Sequence, residues 1–351
     1  MIVRPPAAPL DWRGLVFPFG AYAPEPGTLA EVAPGVLWMR SPLPFALNHI
    51  NLYVLDAGDH WVIVDTGVAS PDIKAQWRAA LEGPLAGKPV GRIIVTHYHP
   101  DHVGLAGWLA KKSGAPLAMT RGEYMLARVL TLDVRPEPPE EALHFHRRAG
   151  WSDDQVEALR ARGWGGFARG VAPLPAGFQR LREGDVLTIG QRRWTVVTGA
   201  GHSPEHACLL SDDGILIAGD QVLPRITSNV SVYPTEPLAD PLGEWLDSLA
   251  KLKGLPEATR VLPSHNEPFD GLHLRLDALA DDHHRKLDAL ETRIVEPATA
   301  AETFATLFRR PIGDNERGMA TGEALAHLHW LERRGRAVRL ADADADRFTR
   351  A

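Results

Sequence analysis

The stretch "THYHPDH" at residues 96–102 gathers three histidines and an aspartate directly after the apolar run "GRIIV". A short run of aliphatic residues predicts a buried strand, which would deliver the polar side chains to one edge of a sheet. Imidazole and carboxylate are the groups that bind divalent transition metals, so four of them within a few positions predict a metal site. The four candidate ligands are His97, His99, Asp101 and His102.

Composition limits the class of protein. With 351 residues, 44% of them hydrophobic and 23% charged, the chain can bury a full core. No apolar stretch approaches the roughly 20 residues that span a bilayer, and the first residues do not resemble a signal peptide, so we expect a cytoplasmic protein without membrane contact. Cys208 is the only cysteine, which excludes an intrachain disulfide and leaves histidine and carboxylate as metal ligands. The net charge of −6 gives no general attraction to nucleic acids.

The first part of the chain has the pattern of a layered α/β protein. Strand-like runs at 36–39, 50–56 and 61–65 are followed by alternating helix and strand patterns, with helices predicted over 71–82 and 103–112. Residues 121–180 are different, because helix-like pieces are separated by segments rich in proline and glycine. A capping box is expected in this part, between Ser152 and Gln155. We interpret 121–180 as a helical insertion, with a lid as its hypothetical role.

Strand patterns resume after the insertion and lead to a helical tail. Apolar runs between 185 and 219 predict a second half-sheet, followed by a helix over 240–253, a strand ending at His265 and a long helix over 271–294. The tail reads as two or three helices and a short strand. We therefore expect two domains, 1–280 and a small helical domain over 281–351.

Three further candidate ligands follow apolar runs elsewhere in the chain. His202 comes after "VVTGAG", Asp220 after "LIAG" and His265 after "VLPS". Each residue lies in a turn at a predicted strand end, which is where α/β folds place their binding sites. Side chains that leave the same edge of a sheet can converge even when they are distant in sequence. Seven candidate ligands are enough for two metal ions.

The ordered series of motifs resembles the metallo-β-lactamase-fold hydrolase superfamily. The series is "VDTG", "HYHPDH", "GHS", "GD" and "PSH", and it covers roughly residues 35–270. The resemblance implies a four-layer αββα sandwich with a dinuclear centre, usually zinc, between its two sheets. It further implies that His97, His99 and His202 hold one metal and that Asp101, His102 and His265 hold the other. Asp220 would bridge the two ions.

The same residue types suit hydrolysis. Two ions about 3.5–4 Å apart can hold a hydroxide between them and lower the pKa of water toward ~7, so that water is the nucleophile. Asp101 could also carry a proton to the leaving group, and Asp65 is expected to orient a ligand imidazole through its second nitrogen. Two zinc ions are the predicted cofactor, although these ligands also accept iron or manganese.

Departures from the family pattern narrow the activity. Class B β-lactamases lack the bridging aspartate, which disfavours antibiotic hydrolysis. The segment "GHSPEH" is similar to the "GHSPGH" of acyl-homoserine-lactone lactonases, which would make His206 a helper near the site. The glyoxalase II group is similar too, although it commonly has glycine around its last histidine, where this chain has Ser264 and Asn266. Tyr233, in the loop after Asp220, is a candidate donor to an oxyanion.

These observations predict a dinuclear metal hydrolase that cleaves an ester, thioester or lactone bond in a small organic substrate. The tail gives a first alternative, because it resembles the C-terminal winged-helix-like segment of lactamase-like endoribonucleases. Residues 283–340 carry ten Lys or Arg against eight Asp or Glu, which is a poor footprint for RNA. A metal-containing binding or regulatory protein with little turnover is the second alternative. The tail and its adjoining helix are the candidate contact for a homodimer.

Overall fold

The computed structural model describes residues 1–44, 47–341 and 344–351, which form two large sheets and a C-terminal hairpin. The strands are β1 (Ile2–Val3), β2 (Leu10–Trp12), β3 (Leu15–Phe17), β4 (Leu29–Ala33), β5 (Val36–Pro42), β6 (His49–Asp56), β7 (Trp61–Val64), β8 (Val90–Ile94), β9 (Leu117–Met119), β10 (Gln179–Arg180), β11 (Val186–Ile189), β12 (Arg192–Gly199), β13 (His206–Ser211), β14 (Ile215–Gly219), β15 (Arg260–Pro263), β16 (Phe269–Asp270), β17 (Ala337–Ala341) and β18 (Asp346–Arg350). The first sheet has the order β1-β4-β5-β6-β7-β8-β9-β10, and the second has the order β11-β12-β13-β14-β15-β16-β3-β2. Strands β17 and β18 pair with each other.

The helices connect and cover these sheets. They are α1 (Pro71–Glu82), α2 (Pro100–Val103), α3 (Ala106–Ser113), α4 (Arg121–Leu132), α5 (Glu140–Arg148), α6 (Asp153–Ala161), α7 (Pro241–Leu252), α8 (Leu272–Arg293), α9 (Phe304–Leu307) and α10 (Arg317–Arg333), with 3-10 turns at Gly166–Gly170 and Ala301–Thr303. Their starts follow local sequence signals. Helix α6 begins with the predicted capping box, in which the Ser152 side chain accepts from the backbone N–H of Gln155 and the Gln155 side chain accepts from the backbone N–H of Ser152.

Four layers result because the central strands are apolar on both faces. In β14, Ile217 packs between the two sheets, whereas Leu216 and Ala218 face the helices behind the second sheet. In β6, Tyr53 faces the second sheet and Leu52 faces the helices behind the first. Side chains alternate along a strand, so such strands need a covering layer on each side. The αββα sandwich implied by the family resemblance is confirmed.

Several boundaries differ from the sequence-based expectations. The predicted helix over 103–112 is divided at Gly104 and Leu105 into α2 and α3, and α2 already begins at Pro100. Strands β1 to β4 were not predicted. The tail contains α9, α10 and the β17–β18 hairpin, which confirms a C-terminal helical region. Helix α8 runs without a break across the predicted boundary at 280/281, and the division into two domains stays a prediction.

A helix that crosses a bilayer needs about 20 predominantly apolar residues. Among the described residues, none of the helices combines the length and the apolar character that a bilayer crossing requires.

The space between the sheets should govern stability. Replacing Ile217, which is 1% exposed, with alanine removes buried methyl groups from the inter-sheet core, and we expect the free energy of unfolding to fall by about 2–5 kcal/mol. Urea unfolding followed by circular dichroism measures the change. Leu132→Ala is the control, because this side chain is 70% exposed at the end of α4 and its loss should change stability by less than about 0.5 kcal/mol. Equal effects of the two substitutions would contradict the assignment of the core.

Candidate metal centre

The structure brings all seven predicted ligands together at the ends of β8, β12, β14 and β15. They form two adjoining groups, and within each group the candidate ligand atoms lie within 4.8 Å of one another. The first group contains His97, His99, His202 and Asp220, and the second contains Asp101, His102 and His265. The three histidines of the first group and the three residues of the second are grouped as the family resemblance implied, whereas Asp220, for which it implied a bridging position, falls with the first group.

The Asp220 carboxylate lies between the two groups and faces each with one oxygen. Oδ2 lies 3.4 Å from Nε2 of His202 and 3.9 Å from Nε2 of His97. Oδ1 lies 3.5 Å from Nε2 of His102 and 3.3 Å from Nε2 of His265. Ligands about 2.0–2.2 Å from a tetrahedral cation stand roughly 3.4 Å from one another, so these spacings suit two cations that share Asp220.

Hydrogen bonds on the far side of three rings direct their lone pairs into the site. Nδ1 of His102 contacts Asp65 Oδ2 at 2.8 Å, Nδ1 of His202 contacts the carbonyl oxygen of Asn229 at 2.7 Å, and Nδ1 of His265 contacts that of His49 at 2.7 Å. Each Nδ1 must donate to its oxygen acceptor, which leaves Nε2 unprotonated in the neutral ring. The three Nε2 lone pairs then face the centre, as metal ligation requires.

Buried atoms without partners support a cation at this point. Among the described residues, Nε2 of His102 and Oδ1 of Asp220 are both buried without a partner in hydrogen-bond geometry, although they lie 3.5 Å from each other. A buried polar atom left unpaired costs about 1–3 kcal/mol, so two of them side by side need an explanation. Together with the three directed lone pairs, they form a donor set of imidazole and carboxylate that fits divalent cations.

The electrostatic field of the site also favours positive charge. Burial lowers the pKa of His99 to about 3, which keeps its ring neutral and able to ligate. Burial alone would also lower the pKa of His265, but the Asp220 and Asp101 carboxylates raise it to about 10. A cation bound there would compete with the protons that these carboxylates attract.

Local backbone structure places the ligands. His99 precedes the short helix α2, whose first residue is Pro100, and the turn of α2 directs Asp101 and His102 to the second group. Gly219 precedes Asp220 with φ of +53°, and a Cβ atom there would lie 2.4 Å from Nε2 of His206. Only glycine allows the imidazole to pack against this turn, where it accepts a hydrogen bond from the Asp220 backbone N–H at 3.1 Å.

The structure buries two of the other predicted residues, Asp65 and His206, and leaves the third, Tyr233, partly exposed. Asp65 is buried, adopts a left-handed backbone conformation with φ of 61°, and accepts hydrogen bonds from the backbone N–H and the hydroxyl of Thr96 in addition to His102. His206 is fully buried behind His97, with ring centroids 4.8 Å apart, so it has no access to a substrate. Tyr233 is 38% exposed and lines a cavity of about 150 Å³ beside His202.

Sequence reasoning missed the residues that hold the ligands through backbone atoms. The carbonyl groups of His49 and Asn229 orient His265 and His202, and no residue type marks a backbone acceptor. Asn51 and Tyr53 were also missed, although both donate to the carbonyl oxygen of Pro263, at 2.9 and 2.8 Å, and so join the two sheets close to His265. A polar residue in an otherwise apolar strand, as Asn51 is in β6, was the available signal.

The sequence and the fold of this chain are similar to those of known proteins. The sequence model of the family described as "Metallo-beta-lactamase superfamily" matches residues 47–265, and that described as "Metallo-beta-lactamase-like, C-terminal domain" matches residues 287–351. The crystal structure of a beta-lactamase domain protein from Burkholderia ambifaria has a TM-score of 0.89 and 41% sequence identity, and the match covers 96% of this chain and 98% of that one.

Two relatives of known activity are also similar. Acyl-coenzyme A thioesterase MBLAC2 of Homo sapiens is 27% identical over 246 residues, which cover 67% of this chain and 79% of the relative. The hydroxyacylglutathione hydrolase of Idiomarina loihiensis is 27% identical over 218 residues, which cover 62% of this chain and 61% of the relative. The first relative is named as a thioesterase and the second as a hydrolase of an acylglutathione.

The two groups of candidate ligands predict that each group binds one cation and that each cation can be lost without the other. We expect metal-free protein to take up two Zn²⁺ ions per chain, and we expect one ion to be lost in His202→Ala and the other in His265→Ala, because each substitution removes a ligand from one group only. Isothermal titration together with elemental analysis after dialysis gives the stoichiometry. His273→Ala is the matched control, because this histidine contacts the Leu255 carbonyl outside both groups. Uptake of two ions by every variant would contradict the ligand assignment.

Proposed function

This chain belongs to the metallo-β-lactamase superfamily, and we propose that it is a dinuclear metal-dependent hydrolase acting on thioesters or esters of small acyl groups. The observation that supports this proposal most directly is that the two oxygens of Asp220 face two separate groups of candidate ligands. The human and Idiomarina relatives support a thioester as substrate. Lactones belong to the same chemical class, because they also present an acyl carbon to attack by water.

The proposed reaction adds water to the acyl carbon and releases a thiol or an alcohol. Two divalent cations, with zinc the first candidate, would ionise a water molecule at neutral pH and polarise the acyl oxygen. The histidine groups and Asp220 hold the site in a fixed geometry, so little reorganisation is needed during the reaction. The new bond joins the water oxygen to the acyl carbon, and the bond from that carbon to sulfur or oxygen breaks.

Asp101 is the proposed proton carrier. Its Oδ2 lies 3.5 Å from Nε2 of His265 and 3.7 Å from Nε2 of His102, and the residue is only partly buried. Burial alone would raise the pKa of the Asp101 carboxyl, but His102 and His265 lower it below its ordinary value. The carboxylate is therefore ionised at neutral pH. It can accept the proton that the attacking water releases and pass it to the departing sulfur or oxygen.

The substrate would enter beside His202. The cavity of about 150 Å³ there is lined by Tyr98, Leu126 and Tyr233, among others. Burial and the neighbouring Tyr233 raise the pKa of Tyr98 well above its ordinary value, so its hydroxyl keeps its proton. Leu126 comes from α4, at the start of the 121–180 insertion, which supports the proposal that the insertion contributes to substrate selection.

The RNA alternative gains no support from the surface of the tail. Most of its basic side chains lie within 4 Å of carboxylates, as in the pairs Arg336–Glu291, Arg310–Glu316 and Arg347–Glu302. Basic residues that neutralise neighbouring carboxylates contribute little to phosphate binding. A small acyl substrate therefore fits the charge distribution better than a polyanion.

Loss of Asp220 should abolish hydrolysis. Because the residue contributes to both metal groups, we expect Asp220→Ala to lower kcat/KM by at least about 1,000-fold, corresponding to several kcal/mol of transition-state stabilisation. Asp101→Asn should lower kcat by about 10²–10⁴-fold in protein loaded with saturating metal, which separates loss of the proton carrier from loss of a ligand of the second group. Hydrolysis of acyl-coenzyme A, acylglutathione, lactone, β-lactam and single-stranded RNA substrates is measured on protein of known metal content.

Asp281→Asn is the control for these substitutions, because it neutralises an exposed carboxylate on α8 that belongs to neither group of candidate ligands. Full activity of Asp220→Ala would contradict the shared position of this residue. If metal-loaded protein cleaved RNA but no thioester or ester, the proposed substrate class would be wrong. Binding of a small molecule without turnover would instead support a regulatory protein.

A further inference from the structure

A buried carboxylate lies directly behind the first metal group. Glu123 is in the first turn of α4 and is fully buried, with 0% of its surface exposed. Glutamate is almost never buried completely unless it is paired, because taking a carboxylate out of water costs several kcal/mol without compensating hydrogen bonds. Burial raises the pKa of this carboxyl to about 6. A group in such a position needs a structural or functional reason.

The contacts of Glu123 are with the two loops that carry the histidines of the first group. Its Oε2 accepts a hydrogen bond from the backbone N–H of Tyr98 at 2.8 Å. Its Oε1 accepts from the hydroxyl of Ser203 and from the backbone N–H of Glu205, both at 2.7 Å. Tyr98 lies between His97 and His99 in the sequence, and Ser203 follows His202. One carboxylate therefore joins the chain segments of all three histidines.

Other contacts fix α4 to the same loop. The Thr120 hydroxyl donates to the carbonyl oxygen of Glu205 at 2.6 Å, and the backbone N–H of Gly122 donates to the Glu205 side chain at 2.8 Å. Tyr124 stacks on Phe178, with ring centroids 3.9 Å apart, and its hydroxyl donates to the carbonyl oxygen of Pro175 at 2.7 Å. The helix that carries Glu123 is thus fixed to the His202 loop on one hand and to residues 175–178 on the other.

The second metal group is oriented by different residues. His102 depends on Asp65, and His265 depends on the carbonyl oxygen of His49. In the described part of the chain, none of the hydrogen bonds of Glu123 reaches Asp101, His102 or His265. Among the described residues, the hydrogen bonds of Glu123 therefore reach the segments of the first group alone. The Asp65 network reaches both groups, because the Thr96 hydroxyl contacts Nδ1 of His97 at 3.1 Å and Nδ1 of His102 at 3.3 Å.

We propose that Glu123 is a positioning residue that holds the loops of His97, His99 and His202 in the geometry required to bind one cation. This inference rests on the proposed metal centre and goes beyond it, because it assigns a support to one of the two cations. Three donors face the carboxylate. An amide in its place would offer one acceptor oxygen and would turn an N–H group toward one of the donors. Glutamine is consequently a severe substitution here despite its equal size.

The test measures cation binding rather than hydrolysis. Metal-free Glu123→Gln is titrated with Zn²⁺ in the presence of a chelator that reports the free ion. We expect one of the two cations to bind about 10–100-fold more weakly, as is typical when a residue that orients a ligand is lost, and the other to change less than about threefold. Asp65→Asn should weaken the binding of the other cation more strongly, because Asp65 contacts His102 directly, with a smaller effect on the first cation through Thr96 and His97.

Variants in which only one of the two ligand groups is intact identify the cation that is affected. The substitution His265→Ala leaves the first group intact. In this background, Glu123→Gln should lower the affinity for the remaining cation by the same factor. Combined with His202→Ala, it should have little effect. Such a double-mutant cycle separates local coupling from additive damage. Ser203→Ala, which removes one of the three donors, should give a smaller weakening of the same cation and is available if Glu123→Gln does not fold.

Leu279→Ala is the control for general destabilisation, because Leu279 is fully buried in α8 away from both groups. It should lower the melting temperature without changing either affinity. Unchanged binding by the first group in both Glu123→Gln and Ser203→Ala would overturn the proposal, as would equal weakening of both cations. Absence of cation binding by the unsubstituted protein would overturn the metal centre itself, which is a different result.

Discussion

The two-sided position of one carboxylate is the constraint on which the site depends. Asp220 lies where five imidazole rings and a second carboxylate converge, and each of its oxygens faces a different group of ligands. Lone pairs and negative charges packed so closely repel one another unless positive charge lies between them. The arrangement is therefore stable only with protons or cations in the centre. Both sheets of the sandwich contribute strand ends to this point, β8 from the first sheet and β12, β14 and β15 from the second.

The fold satisfies the requirement by fixing the orientation of the rings from behind. Asp65 and two backbone carbonyls each occupy one ring nitrogen, which leaves the other nitrogen for the centre. Asp65 itself has a left-handed backbone conformation, which costs energy for a residue other than glycine and is concentrated at functional sites. Asn266, which follows His265, has the same kind of conformation, with φ of 67°. Two residues with a left-handed backbone therefore lie beside ligands of the second group. Asp65 contacts His102, and Asn266 follows His265.

The sequence indicated which candidate ligands would converge and one residue behind them, Asp65, but not the other supports. His97, His202, Asp220 and His265 could be predicted because a polar residue after an apolar run leaves a sheet at its edge. The supporting carbonyls could not, since a backbone oxygen has no sequence signature, and Glu123 looks like any helical glutamate until its burial is known. Strands β1 to β3 have only two or three residues each, too few for alternation to be recognised. The break between α2 and α3 depends on tertiary contacts around Gly104, where a Cβ atom would meet three backbone carbonyl oxygens.

Helix α8 has a mechanical consequence. Its 22 residues continue from the sheet that carries Asp220 and His265 into the tail, and Leu276, Leu279, Leu287 and Leu290 are buried along its whole length. Leucines on both sides of residue 280 belong to one hydrophobic cluster, which also contains Val261 of β15 and Phe348 of the tail. Packing is therefore continuous through this junction, so a substitution that opens a cavity in the tail would also loosen the layer behind the strand that leads to His265.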